Sequence, residues 1–294
     1  MTMRMKSFLR KIPVLLLGAA GLTAFTSCNN KYRVWVGDNG DQKIYNLPYG
    51  EDPKQVMDVF LPKNAPSESP VVMIVHGGAW KYGRKEHMIM IQKYLHEHQV
   101  PTVNIDYRHA SRKKQITYRE QLQDLDLARQ QFNTLAPKAG LLPDHYILLG
   151  ESAGAHLALL YGYQHPEYVK RLISMSGPVD FHSSTYLSSA HSWYSAPTLQ
   201  TVVGEKFNRK NLSEKFREAS PVNYVSHVPT LIFQGDSDYL VNRNQALKLD
   251  SVLKAKKVPH QLVYMKNTGH TPRFFSKHKR DKIIFPAILN WVKK

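Results

Sequence analysis

Cysteine is almost missing from this chain of 294 residues, Cys28 being the only one. Intramolecular disulfides are thereby excluded, and the fold has to rest on a packed core. No apolar run is long enough to span a bilayer comfortably; "IPVLLLGAAGLTAF" at 12–25 falls short. No repeat recurs at a fixed period and no long low-complexity tract occurs, which sets aside solenoids and disordered chains. Acids are scarce, 23 against 40 Lys and Arg, for a net charge of +17. No nucleic-acid recognition motif accompanies that charge, so nucleic acid is not expected as a partner. The surplus reads first as a solvated basic surface, with an anionic lipid surface or an acidic polysaccharide as the partners it would suit. What the chain does have is apolar material, 42% of residues with 11% aromatic, ample for one α/β domain of this length.

The N-terminus reads as a targeting segment. Residues 1–11 carry Arg4, Lys6, Arg10 and Lys11 with no acid, and the short apolar run follows. These are the n-region and h-region of a secretory signal peptide, placed at residues 1–27. The stretch "FTSC" resembles a bacterial lipobox, with Phe25 where Leu is usual, and implies lipidation of Cys28. The protein is then expected to be exported and lipid-anchored in a bacterial cell envelope, so that its membrane contact is the N-terminal anchor. Removing the four bases of residues 1–27 leaves a net charge of +13.

Residues 28–44 are expected to be a tether and 45–294 the folded domain. "QVMDVFLP" (55–62) alternates as an edge strand does, whereas "VVMIVHGG" (71–78) and "VPTVNIDY" (100–107) are continuous runs suited to burial on both faces. A crossover helix fits 86–98. Leu122, Leu125, Ala128, Phe132 and Leu135 recur at spacings of three and four, which predicts an amphipathic helix over 118–136. Further strands are expected at 145–149, 171–177, 229–235 and 260–265, with helices after 153, over 242–257 and near 281–292. Strands that alternate with helices predict an α/β fold, a doubly wound and mostly parallel sheet. Residues 178–228, rich in Ser, Tyr, His and Pro, break the rhythm and read as a small inserted cap.

A parallel α/β sheet presents its ligands at the carboxyl ends of its strands. "HYILLGESAGAHLALLYGY" (145–163) lies at such an end, where a strand-forming run meets a helix-forming run around Gly150-Glu151-Ser152-Ala153-Gly154. The spacing is that of a nucleophile elbow, in which two residues without Cβ let strand and helix close on each other and hold the serine oxygen at the rim. Ala153 then points its amide into the site from the helix N-terminus. "HGGAW" (76–80) ends a neighbouring strand; Gly78 and Ala79 are the amides chosen to complete an oxyanion hole, with Gly77 less suited. His76, at the strand end, reads as a hydrogen-bonded prop for the loop.

Serine requires a base, and the base an orienting carboxylate. The strand 229–235 is followed by "GDSD", where Asp236 and Asp238 both qualify. Asp238 fits a strand-Gly-x-x-Asp loop, and Asp236 reads as bracing the turn. Of 14 histidines, His270 stands in a Gly-His loop after the next strand; His260 and His278 read as structural or solvated. Ser152, Asp238 and His270 are the expected catalytic set. Trp80, Trp193 and Tyr194 are candidates for the substrate pocket.

On "PYGEDPKQVMDVFLP", "HGGAW", "DYR" (106–108), "GESAG", "GDSD" and "GH", the chain over about 45–292 resembles the α/β-hydrolases. More narrowly it resembles esterases with an HGGxW motif, such as hormone-sensitive-lipase-like carboxylesterases and secreted acetyl-xylan or feruloyl esterases. The resemblance implies a Ser-His-Asp acyl-enzyme mechanism acting on a small ester or an acylated glycan, with no metal and no other cofactor. It departs from the lipase pattern at Ala79, at "DYRHASRKK" and at Gln234, all of which bear on substrate rather than reaction class. Two other readings share the pattern: an exported serine peptidase of prolyl-oligopeptidase type, and a non-catalytic, lipid-anchored glycan-binding protein. Oligomeric state is not written in these residues.

Overall fold

A computed structural model of the chain describes residues 32–182 and 192–294, with the side chains of 192–195 left out of that description. Cys28 and the expected signal segment therefore lie outside the described residues. Nine strands form one sheet: β1 (Arg33–Val36), β2 (Gln42–Pro48), β3 (Val56–Leu61), β4 (Val71–Val75), β5 (Thr102–Ile105), β6 (Tyr146–Glu151), β7 (Val169–Met175), β8 (Thr230–Gly235) and β9 (His260–Met265). Their spatial order is β1-β2-β3-β5-β4-β6-β7-β8-β9. β1, β2 and β3 run antiparallel to their neighbours; every pair from β5 through β9 is parallel. The chain leaves β4 outward to β5 and then returns across β4 to β6. That reversal opens a crevice at the carboxyl ends of β4 and β6, where such sheets bind ligands.

The central strands alternate between two apolar layers. Val71, Met73 and Val75 pack with α2 (Tyr118–Asn133), α3 (Ala153–Gln164) and a later helix at Asn244–Ala255. Val72 and Ile74 face the other way, against α1 (Ile89–Glu97) and the last helix at Phe285–Lys293. The expected face of α2 is largely in the core: Leu125, Ala128 and Phe132 are fully buried, Leu135 is nearly so and Leu122 packs at its margin. Thr117 starts this helix with a capping box, its hydroxyl accepting from the amide of Arg119 while Glu120 reaches back to the Thr117 amide at 2.7 Å. Among the described residues, no helix is long and apolar enough to cross a membrane.

Two expectations are corrected here. The tether over 28–44 is folded from Arg33 onward, because β1 and β2 pair as a hairpin closed by a turn between Gly37 and Gly40. β1 is the sheet's outer strand, with Trp35 and Val36 exposed, so it carries no alternating pattern to betray it. For the same reason β3 is not an edge strand: the hairpin covers its outer side and β5 its inner. Its alternating polar residue, Asp58, is buried and accepts from the Asn46 amide at 2.8 Å and lies 3.2 Å from the Lys85 ammonium.

The stretch between β7 and β8 contains α4 (Ser192–Val203), α5 (Glu214–Glu218) and a 3-10 turn at Pro221–Tyr224. Leu199, Val202, Val203 and Phe216 join the main core, so the insert is rooted in the domain rather than hung from it.

Candidate active site

β6 runs through Gly150 and Glu151 into Ser152, the residue that caps α3 with φ 54° and ψ −119°. A positive φ at a serine is strained, and it persists because the surroundings impose it. The Ser152 amide donates to Met175 O at 2.8 Å, tying the corner to β7. A Cβ on Gly150 would lie 2.2 Å from Gly154 O, and one on Gly154 would lie 2.2 Å from Val75 O. Both glycines are thus dictated by close backbone approach, on either side of the serine.

The structure brings Ser152, His270 and Asp238 together from three separate loops. Ser152 Oγ lies 2.8 Å from His270 Nε2, and His270 Nδ1 lies 2.8 Å from Asp238 Oδ2. With the carboxylate as acceptor, Nδ1 carries the proton and Nε2 is left to take the serine proton. The Asp238 side chain is fully buried. Its Oδ1 accepts from the amides of Leu240 and Val241, each at 2.9 Å, and its Oδ2 accepts also from Gln234 Nε2 at 3.2 Å. Asp236, two residues away, does what a turn residue does. Its Oδ1 accepts from Ser237 Oγ at 2.8 Å and from the Thr268 amide at 3.2 Å, pinning the aspartate loop to the histidine loop. Lys279 clamps the latter further through the carbonyls of Lys266 and Asn267 and the Thr268 hydroxyl.

The loop after β4 turns through three consecutive positive φ values, Gly78 at 128°, Ala79 at 49° and Trp80 at 60°. The amides of Lys81 and Tyr82 close it on Gly78 O at 3.1 and 2.8 Å. Among the described residues, the amides of Gly78 and Ala79 meet no backbone carbonyl. Ala153, first residue of the twelve-residue α3, has its amide at the positive end of the helix dipole. A Cβ on Gly77 would come 3.2 Å from Ser152 Cβ, so this loop presses directly on the elbow. The Gly78 and Ala79 amides are thus left without a backbone carbonyl in the loop that presses on the elbow, and the Ala153 amide follows the serine directly in the chain.

The other histidines are elsewhere. His76 is fully buried, stacked on Tyr107 with ring centroids 4.3 Å apart and hydrogen-bonded through Nδ1 to Gly77 O at 2.7 Å. Burial pushes its pKa down to about 3, so it is a neutral prop. His260 begins β9, at the opposite end of the sheet from the site, and His278 is exposed.

Among the described residues, Trp80 packs into the core. Its indole is buried, its Nε1 donates to His156 Nδ1 at 3.1 Å, and its ring packs edge-on against Phe181. An aromatic side chain in a loop carries the same sequence signal whether it faces a ligand or the core, and here the core wins. Trp193 and Tyr194 sit in the first turn of α4, and their side chains lie outside the described residues.

The supporting roles of three residues escaped the sequence reading, Gln234 having been noted only as a departure from a pattern. Gln234 holds the Asp238 carboxylate. His156, fully buried in α3, accepts from Trp80 and bonds through Nε2 to Ala219 O at 2.7 Å, joining the oxyanion loop to the end of the insert. Arg273 pairs with Glu151. Besides Gln234, only Glu151 had a signal, its place within the Gly150–Gly154 motif; the partners of all three are set by folding.

Comparison with known proteins gives the family and the fold. The family model BD-FAE matches residues 57–253. A probable isoprenylcysteine alpha-carbonyl methylesterase of Arabidopsis thaliana, ICMEL1, is 25% identical over 261 residues, 81% of this chain and 53% of its own length. The chain spans about half the length of the curated relatives of this kind that it matches. Among solved structures, a truncated carbohydrate esterase from gut microbiota superposes with a TM-score of 0.71 at 20% identity, covering 85% of this chain and 94% of that one. Esterase B from Lactobacillus rhamnosis superposes at 0.68 with 19% identity, covering 88% of each chain. The mostly parallel sheet flanked by helices is the α/β-hydrolase fold.

Proposed function

We propose, from the premise that this chain belongs to the BD-FAE family, that it is an exported serine carboxylesterase working through an acyl-enzyme. The observation that supports this best is the unbroken chain from Asp238 through His270 to Ser152 Oγ, with the Gly78, Ala79 and Ala153 amides read as the oxyanion donors. Ser152 Oγ attacks the ester carbonyl carbon while its proton passes to His270 Nε2. The carbonyl oxygen, now negative, is received by the three amides. Asp238 holds the imidazole in the Nδ1–H tautomer and stabilises the imidazolium. The C–O bond to the alcohol then breaks, and the Nε2 proton leaves with that alcohol. Water attacks the acyl-serine, returns a proton to Nε2 and then to Ser152, and releases the carboxylic acid. The balance is ester plus water to acid plus alcohol.

The substrate reading is an acyl group, acetyl or feruloyl, carried on a polysaccharide. It rests on the family resemblance of the motifs and on exposed cationic loops at the same edge of the sheet as the site. Export and lipidation at Cys28 are read from the N-terminal sequence. Residues 178–228 are read as the cap that shapes the pocket.

The test is a panel of acetyl, butyryl and feruloyl esters and acetylated glycans, with labelling by a fluorophosphonate probe. Turnover and labelling by the wild type, both lost in Ser152→Ala, are expected. Equal labelling of the two proteins overturns the mechanism, and faster turnover of dipeptidyl naphthylamides than of acetyl esters overturns the choice of esterase over peptidase.

A further inference from the structure

We propose that Arg273 is a positioning residue for this hydrolysis, locking the nucleophile elbow, the base loop and the oxyanion loop in register through its pair with Glu151. The inference rests on the assignment of Ser152 and His270 as nucleophile and base. Arg273 is 1% exposed and Glu151 5%, so the pair is buried. Arg273 Nε donates to Glu151 Oε2 at 2.6 Å and Nη2 to Oε1 at 2.8 Å, a bidentate fork that fixes angle as well as distance. Nη1 donates to His87 O at 2.8 Å, and Nη2 lies 3.1 Å from Met88 Sδ. The Phe274 ring covers the guanidinium at 3.8 Å.

Each anchor adjoins a different part of the machinery. Glu151 immediately precedes Ser152. Arg273 follows His270 by three residues. His87 and Met88 close the loop that opens with His76-Gly77-Gly78. One guanidinium therefore joins three segments that are far apart in sequence and must agree to within a fraction of an ångström for the reaction. Stability alone is a poor reason for the pair, since desolvating two charges costs several kcal/mol and an apolar pair of similar volume is often as stable.

Charge is the second half of the inference. Glu151, His270 and Arg273 line one small, partly open cavity together with Ser176 and Met175. While they are paired, the carboxylate and guanidinium cancel as His270 gains and loses its proton; either one alone would bias that transfer. Among the described residues, the charged or titratable groups tied to the base and its loop are Asp238, bonded to His270, and Asp236 and Lys279, bonded to Thr268; His87 gives Arg273 its backbone carbonyl, and the Arg280–Asp281 pair follows in the chain.

The experiment compares full-chain Arg273→Met, Arg273→Lys, Glu151→Gln and the double variant Glu151→Gln/Arg273→Met with wild type on an acetyl ester. Rates are expressed per active site, titrated with a fluorophosphonate, so unfolded protein does not count. Arg273→Met is expected to lose roughly 10–100-fold in kcat, the scale of a misplaced reacting group, with KM little changed. Arg273→Lys recovers only part, because an ammonium cannot make the fork. The acidic limb of kcat/KM moves to higher pH in Arg273→Met, where a lone anion favours imidazolium. It moves to lower pH in Glu151→Gln and returns towards wild type in the double variant. Opposite shifts are something a merely structural brace does not produce. Unmoved kcat and unmoved limbs, or limbs that shift the same way in both single variants, overturn the inference. Should Arg273→Met fail to fold, Glu151→Gln and Arg273→Lys decide it on the same criteria. A wild type that the probe does not titrate overturns the esterase reading and this inference together; a titrating wild type with unmoved variants overturns this inference alone.

Discussion

Asp236 and Asp238 stand on one short loop and are put to different uses by their surroundings. Asp238 is buried, held by two amides and one carboxamide, and turned to His270. Asp236 stays at the surface and bonds the turn. Asp238→Asn is expected to lower kcat by about 10⁴-fold by favouring the wrong imidazole tautomer, while Asp236→Asn leaves kcat per titrated site near wild type and lowers Tm; steady-state kinetics beside thermal melts check both. The Gly-x-x-Asp spacing and the Gly-His loop made Asp238 and His270 legible because those positions are set by strand ends. Gln234 was visible only as a departure from a pattern. That its carboxamide meets the Asp238 carboxylate depends on how the loop after β8 folds back, which no local signal encodes.

At the scale of elements, helix α2 was readable because its buried stripe is local; the capping box at Thr117 came only with the structure. Thr117→Ala removes the capping box and is expected to destabilise the protein by about 1 kcal/mol, read as a shift in urea midpoint with an unchanged slope. Helix α3 is a different case. Every residue from Ala153 to Tyr163 is buried, so it has no polar face and no amphipathic signature. Its His156 links Trp80 to Ala219, and burial pushes its pKa from 6.5 down to about 4. The unfolded chain takes up a proton near pH 6.5 and the folded chain does not until near pH 4. The unfolded state thus binds more protons in that window, and stability falls as pH falls through it, by up to about 1.4 kcal/mol per pH unit. Melting from pH 7 to pH 5 should show a steeper loss for wild type than for His156→Gln. The β1–β2 hairpin escaped prediction for a related reason: an exposed outer strand of four residues has no periodicity to read.

At the scale of the whole molecule, two exposed basic runs flank the edge that carries the site. Arg112, Lys113 and Lys114 are exposed after β5, and Lys266 and Lys277 after β9. Among the described residues, none of the five has a carboxylate partner within salt-bridge distance. Five inter-strand steps put these two runs roughly 24 Å apart, on either side of Ser152, a spacing that suits an extended anionic chain. Hydrolysis of esters on a uronic-acid polymer is therefore expected to slow as added salt shortens the Debye length, while hydrolysis of a neutral nitrophenyl ester does not. Equal salt response of the two substrates would remove the acidic-glycan preference. In cell fractionation, Cys28→Ser is expected to move the protein from membrane to soluble fractions. The alternation of strands and helices, the glycine-flanked corner and the order serine, aspartate, histidine were determined by sequence alone, because periodicity, missing Cβ atoms and strand-end loops are local properties. The hairpin that covers β3, the burial of Trp80 and the guanidinium shared by three loops were decided only in the tertiary structure, because each depends on which segments, distant along the chain, compete for the same buried volume and the same hydrogen bonds.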